Sequence, residues 1–229
     1  MSEQVRTMFA SIADKYDLTN SVLSMGTHHR WRKTAVKMSG AVKGMSVLDC
    51  ATGTGDLAFE FKQIVGQEGK VLGTDFCGEM METAPAKAAE RKLEVKFETA
   101  DAMDLPYSDD TFDIASIAFG IRNVDNPTQC LKELARVVKP GGRVIVLEFG
   151  QPSGLFKYPY NFYSKYVIPF VGGMITGNRE AYAYLPETSA NFPAGEAFIR
   201  LMKDSGKYED YKARSLMGGI AYVYAGDVL

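Results

Sequence analysis

Cysteine, histidine and tryptophan are scarce in this chain, at three, two and one among 229 residues. Cys50, Cys77 and Cys130 are scattered and His28 and His29 lie far from them, so no metal-ligand spacing is present and no metal is expected. An odd, low cysteine count without a secretory leader points to a reducing cytoplasm. Long apolar runs are missing as well. The longest, Val167–Thr176, carries Pro169 and falls short of the roughly 20 residues a spanning helix needs. An excess of positive charge is also lacking: with a net charge of −2 there is no basic footprint, and nucleic acid is not the expected partner. What the chain does have is 46% hydrophobic residues, enough for one α/β domain spanning 1–229 with a buried core.

The organising stretch is Val47–Ala58, VLDCATGTGDLA. An apolar start runs into Asp49 and a turn, Gly53-Thr54-Gly55, before Leu57, Ala58 and Phe61 open a helical pattern. Glycines there allow a sharp turn and close approach to a ligand, and the first helical N–H groups face the crevice. The pattern also fits a dinucleotide site, so taken alone it leaves the cofactor open.

The rest of the chain reads in order from the N-terminus. Val5–Tyr16 has helical apolar spacing, Asp17–Ser21 reads as a turn or cap, and His28–Ala35 is a basic, aromatic patch, either a solvated face or a lipid-facing one. A second strand ends at Asp75, twenty positions after Gly55, where a carboxylate can accept from both ribose hydroxyls or cap the following helix. Pro85 predicts that this helix, Glu79–Ala89, is short or kinked. Val95–Asp101 alternates like a strand, placing Asp101 to accept from an adenine amino group and the Ala102 N–H to reach the ring. Phe112–Phe119 is an apolar central strand emptying into Gly120-Ile121-Arg122-Asn123. Pro127–Val138 predicts a helix stopped by a turn at Lys139–Gly142, and Arg143–Phe149 a fifth strand. After Gln151 tyrosine and phenylalanine crowd together, as core or as an apolar substrate pocket. Helix Ala194–Ser205 and an antiparallel pair, Tyr208–Arg214 with Ile220–Tyr224, close the chain at the sheet edge.

VLDCATGTGDLA, GTDF, DAMDLPYSDDTFD, FGIRNV, RVVKPGG and LEF, in this order, resemble the class I S-adenosylmethionine-dependent methyltransferases. KYDLTN, FGIRNV, YNFYSKYVIP and AYLPETSANFP narrow the resemblance to the ubiquinone/menaquinone biosynthesis C-methyltransferases, over about Phe9 to Tyr224. The resemblance implies a Rossmann-like α/β fold: a seven-stranded, mostly parallel sheet with helices on both faces, an N-terminal helical cap over 1–40 and a substrate-side insertion over 151–193. It also implies methyl transfer from S-adenosylmethionine to a ring carbon of a polyprenylated quinol, demethylmenaquinol above a benzoquinol or another small aromatic acceptor. Thr54, Asp75, Asp101 and Ala102 would contact the cofactor, Asp49 would orient its amino-acid end, and Gly53 and Gly55 would allow its approach. Where some relatives carry serine this chain has Ala118, which leaves backbone contact alone there.

A quinol carbon becomes nucleophilic when its neighbouring hydroxyl is deprotonated, so Arg122 is expected to stabilise the phenolate electrostatically or through water. A structural pairing of Arg122 with a carboxylate such as Asp125 is the competing expectation. Asn123 and Tyr16 would position the hydroxyl, and Tyr160 and Tyr163 would line the quinone or prenyl pocket. A bilayer-dwelling substrate implies a transient membrane surface at the cytoplasmic face, and a homodimer is the assembly entertained. An NAD-dependent oxidoreductase would share the glycine turn and Asp75 but gives no reason for Asp101-Ala102 or FGIRNV. A non-catalytic scaffold gives no reason for an intact set of cofactor-facing residues.

Overall fold

Five apolar segments become β1 (Ser46–Cys50), β2 (Lys70–Asp75), β3 (Lys96–Thr99), β4 (Phe112–Ala118) and β5 (Val138–Phe149). Two more, β6 (Tyr208–Leu216) and β7 (Ala221–Val228), complete one sheet in the computed structural model, which describes residues 3–229. Strand order is β3-β2-β1-β4-β5-β7-β6. The first five strands pair in parallel, while β7 pairs antiparallel with both β5 and β6. The order reverses between β1 and β4, which opens a crevice beyond their carboxyl ends.

Alternation along each central strand feeds both faces. Val47, Ile114 and Ile145 point to one side, beneath α3 (Thr27–Ser39) and α4 (Asp56–Val65). Leu48, Ala115 and Val144 point to the other, beneath α6 (Pro127–Arg136) and α10 (Glu196–Asp204). Three layers result, with the sheet in the middle.

The predicted helix Val5–Tyr16 is broken. It forms α1 (Glu3–Ala10), a 3-10 turn at Ala13–Lys15, and α2 (Tyr16–Leu23). Phe9 and Ile12 bury themselves with Cys77, Met80 and Tyr182, and the bend after them frees Tyr16 to turn toward the crevice. Asp17–Ser21, read as a turn or cap, lies inside α2, where the Thr19 hydroxyl, buried, is satisfied by donating back to the Lys15 carbonyl at 2.8 Å. The predicted stop at Lys139–Gly142 is a bulge within β5: Gly141 has φ +75° and the register with β4 shifts between Phe112 and Ile114. Pro85 begins a short helix, α5 (Ala84–Glu90), as its fixed φ predicts. The His28–Ala35 patch is two-sided: His28, Trp31 and Ala35 are buried, while His29, Arg30 and Lys33 stand exposed on the opposite face.

The aromatic segment divides. It forms α7 (Lys157–Phe162), a π turn at Tyr163–Val167, α8 (Ile168–Thr176) and α9 (Arg179–Asn191). Tyr182 is fully buried between these helices, whereas Tyr158, Phe162 and Phe170 stand exposed. No helix among the described residues is long and apolar enough to cross a membrane.

Candidate active site

Two cavities meet at the strand-order reversal. The larger, about 430 Å³, runs between the N-terminal helices, the glycine turn and the α7 segment. The smaller, about 70 Å³, sits over the ends of β2 and β3. Tyr16, Ala51, Gly53, Ala118 and Phe119 line both, so this is a shared wall at which two ligands would touch.

The two turn glycines have different jobs. Gly53 (φ +54°) faces both cavities and donates its N–H to Asp75 Oδ2 at 2.9 Å. Gly55 (φ +87°) faces neither; a Cβ there would lie 2.9 Å from the Phe59 ring and 3.0 Å from Phe97. Its role is to seat α4 on the sheet, which differs from the ligand approach expected of it. Thr54 is buried on the larger cavity, where its hydroxyl donates to Asp17 of α2 at 2.6 Å.

Asp75 lines the smaller cavity and accepts the Cys77 N–H at 2.9 Å, which orders the turn after β2, while the helical turn that follows has Cys77 at its N-cap and no side-chain cap. Burial raises its carboxyl to about 6, with the Cys77 and Gly53 N–H groups opposing. Asp101 and Ala102 line the same cavity, and Asp101 is held by the Met103 N–H at 2.9 Å. Asp49 borders the larger one, accepting from Thr52 and Ser116 hydroxyls at 2.7 Å each, and burial raises it to about 6.

Tyr160 and Tyr163 line the larger cavity as expected of pocket residues. The Tyr163 hydroxyl donates to the Leu23 carbonyl at 2.6 Å and so ties the π turn to α2. Asn123 lines the smaller cavity, accepting from Tyr184 at 3.3 Å and donating to the Phe119 carbonyl at 3.4 Å. Arg122 lines neither. Its guanidinium is 2% exposed and ion-paired at 2.7 Å to Glu148, itself 1% exposed, at the end of β5. Its charge is nonetheless felt at the wall: burial raises the phenols of Tyr16 and Tyr160, and the Arg122 field pulls both back down.

Sequence reading missed three groups here. Glu148 is a lone acid in LEF with nothing in its neighbourhood to announce a partner. Trp31, Phe119 and Phe149 form an aromatic wall of the larger cavity, with ring centroids 4.5 Å apart for the two phenylalanines and 6.3 Å from each to Trp31. The third is an ionic cluster below Thr54: Lys87 reaches Asp17 at 2.6 Å, Thr54 at 3.0 Å and Asp56 at 2.9 Å, while Arg32 meets Asp56 at 2.8 Å. His28, His29 and Asp56 have ligand atoms within 4.8 Å of one another. Arg32, Lys87 and Arg91 all converge on that Asp56 carboxylate, so positive charge already fills the place a metal ion would take.

The donor set suits a sulfonium nucleoside. A carboxylate ends β2 for a diol, a carboxylate and an amide follow β3 for a purine edge, and Met80 and Val124 supply apolar walls.

A family model described as the ubiE/COQ5 methyltransferase family matches residues 1–227. A Bdellovibrio bacteriovorus protein named ubiquinone/menaquinone biosynthesis C-methyltransferase UbiE is 56% identical over 227 residues, 99% of this chain and 96% of that one. The demethylmenaquinone methyltransferase of Thermus thermophilus is 46% identical over 222 residues, covering 96% and 99% of the two chains. Among solved structures, a SAM-dependent methyltransferase from Thermotoga maritima matches with a TM-score of 0.68 at 22% identity, over 97% of this chain and 99% of that one. That likeness establishes a shared fold.

Proposed function

The chain belongs to the ubiE/COQ5 methyltransferase family, and from that premise we propose that it methylates a ring carbon of demethylmenaquinol, giving menaquinol. It is an S-adenosylmethionine-dependent C-methyltransferase of quinone biosynthesis. The observation that carries the reading is the shared wall: a largely apolar cavity with carboxylates at the end of β2 and just beyond β3 abuts an aromatic-lined one large enough for a ring.

When bound, the cofactor supplies a methyl group already activated on a sulfonium. The protein's task is then to align the acceptor and raise its nucleophilicity. Asp75 would accept from the ribose hydroxyls, Asp101 and the Ala102 N–H would hold the purine, and Thr54 with Asp49 would face the amino-acid end. Tyr16, on the shared wall, positions the quinol hydroxyl, and Asn123 braces the same corner through Phe119. Arg122 favours the phenolate through its field rather than by contact, because its side chain is buried behind the wall, lines neither cavity, and has Nη1 bound to Glu148 and the Phe119 carbonyl. Tyr160 and Tyr163 flank the ring or its prenyl chain.

The prenyl chain leaves toward a membrane surface. Met25 is 80% exposed and also lines the larger cavity, and Tyr158, Phe162, Phe170 and Met174 extend exposed apolar surface along α7 and α8. Such a patch on a chain with this substrate fits reversible contact with a bilayer. Flotation with liposomes tests it, and complete absence from the lipid fraction, with or without quinone, removes it.

The test of function is transfer of labelled methyl from S-adenosylmethionine to demethylmenaquinol and, in parallel, to the demethylated benzoquinol precursor, both in detergent. Label in the naphthoquinol is expected. Label in the benzoquinol alone would overturn the substrate assigned here.

A further inference from the structure

Phe119 is the point where three unusual features converge. It follows β4 directly, with φ +56°, a left-handed conformation that a bulky side chain adopts only under constraint. Ala51, the residue after the neighbouring β1, is left-handed too, at φ +49°. Gly120 lies between them, and a Cβ on it would come within 2.3 Å of the Ala51 Cβ. The two strand ends are therefore locked against each other at the wall common to both cavities.

The lock is held from β5 by a buried charge. Glu148 accepts from Arg122 Nη1 at 2.7 Å, the Arg122 N–H at 3.4 Å and the Phe149 N–H at 2.7 Å. Arg122 Nη1 also donates to the Phe119 carbonyl at 2.7 Å, and its guanidinium carbon sits 5.2 Å from the Phe149 ring centre. One carboxylate thus fixes, through one arginine, both phenylalanines of the aromatic wall. An ion pair this buried contributes little to stability compared with apolar residues of similar volume, so its retention calls for another reason. Strain at Phe119 calls for the same one.

Resting on the quinol reading, we infer that Glu148 is a positioning residue that, through Arg122, holds Phe119 and Phe149 as the shelf on which the acceptor ring stacks against the methyl donor. Trp31 closes the shelf from α3. Offset stacking of a naphthoquinol on this pair sets the distance and tilt of its ring carbon, and aromatic contacts of this kind discriminate between ring sizes. Phe119, which lines both cavities, is the side chain that would touch the ring and the donor together.

Trp31 is the sole tryptophan, so its emission reports the shelf directly. The experiment compares the wild type with Glu148→Gln, Phe119→Leu and the paired Arg122→Met with Glu148→Leu. Quenching of Trp31 by 1,4-naphthoquinone, a ring without a tail, is read beside acceptor KM, kcat and calorimetric affinity for S-adenosylhomocysteine. Saturable quenching is expected in the wild type. In Glu148→Gln and Phe119→Leu the quenching constant and acceptor KM should each weaken about 10-fold, and in Glu148→Gln S-adenosylhomocysteine affinity should hold within about twofold. The paired apolar variant guards against misfolding: it should melt near the wild type yet keep the acceptor defect. Unchanged quenching and KM in the single variants, or an equal loss of S-adenosylhomocysteine affinity in Glu148→Gln, would overturn the inference. If the wild type methylates no quinol, the functional reading falls, while saturable quenching lost in Phe119→Leu would still support the shelf.

Discussion

Replacing Asp75 by asparagine separates the two duties of that carboxylate. In the folded chain burial lifts its carboxyl to about 6, so it holds a proton to higher pH than in the unfolded chain. The sign follows from that. Its ionisation does not weaken the fold below about pH 4; the penalty grows between about pH 4 and 6 and is constant above, at about 3 kcal/mol or less. Asparagine removes this penalty but leaves one of the two N–H groups, from Gly53 or Cys77, facing an amide donor, a loss of about 1–3 kcal/mol. The two changes offset, so the melting temperature at neutral pH should move by only a few degrees or less, roughly the shift set by 1 kcal/mol. Cofactor binding has no such compensation. Two hydrogen bonds from a ribose diol to an ionised acceptor are worth about 1.5–3 kcal/mol each, and an amide retains part of one. S-adenosylhomocysteine affinity should therefore fall on the order of 100-fold. Calorimetry from pH 5 to 8 completes the test: wild-type affinity should weaken below about pH 6, by up to about tenfold per pH unit for Asp75, and the variant should lose that share of the dependence. Asp49, raised by burial to about 6 as well, titrates in the same window, so the difference between the two proteins carries the result. An Asp75→Asn protein that bound within twofold of the wild type, or kept its full pH dependence, would refute the reasoning.

Three further outcomes follow from the same structure. Gly55→Ala should destabilise by about 2–4 kcal/mol in urea unfolding, because a left-handed backbone and contacts at 2.9 and 3.0 Å to two phenylalanine rings are both violated. Asp17→Ala removes the carboxylate joining α2 to Thr54 and Lys87, so S-adenosylhomocysteine should dissociate about tenfold faster in stopped flow, for a loss of roughly 1–1.5 kcal/mol. His28 is lowered to about 4 by burial, then by Arg32 and His29, so its ring resonances should show no titration from about pH 8 down to 5; stability linked to it should drain away as pH falls from about 6.5 toward 4.

Much of the donor site was legible because it is local. A strand ending in an acid, a turn needing left-handed glycines and a helix opening beyond it are written within twelve residues, and Asp75 and Asp101 announce themselves by ending alternating apolar runs. The parallel sheet followed for the same reason, since period-two and helical patterns alternate along the chain. Local rules failed where a tertiary contact outweighed them: the N-terminal helix broke to bury Phe9 and Ile12 beside Met80 and Tyr182, and the Lys139–Gly142 turn was absorbed as a bulge by pairing with β4.

By itself, then, the sequence determined the order of the sheet's strands along the chain, the carboxylates at the end of β2 and just beyond β3, and the family to which they belong. Only the tertiary structure decided what each side chain does there. Arg122 and Glu148 are 26 positions apart, Asp17 and Thr54 are 37, and the aromatic wall draws one ring each from α3, the turn just after β4, and β5. Charges and rings at such separations meet because the sheet brings parallel strand ends to one edge, and no periodicity along the chain encodes which of them will face one another across it.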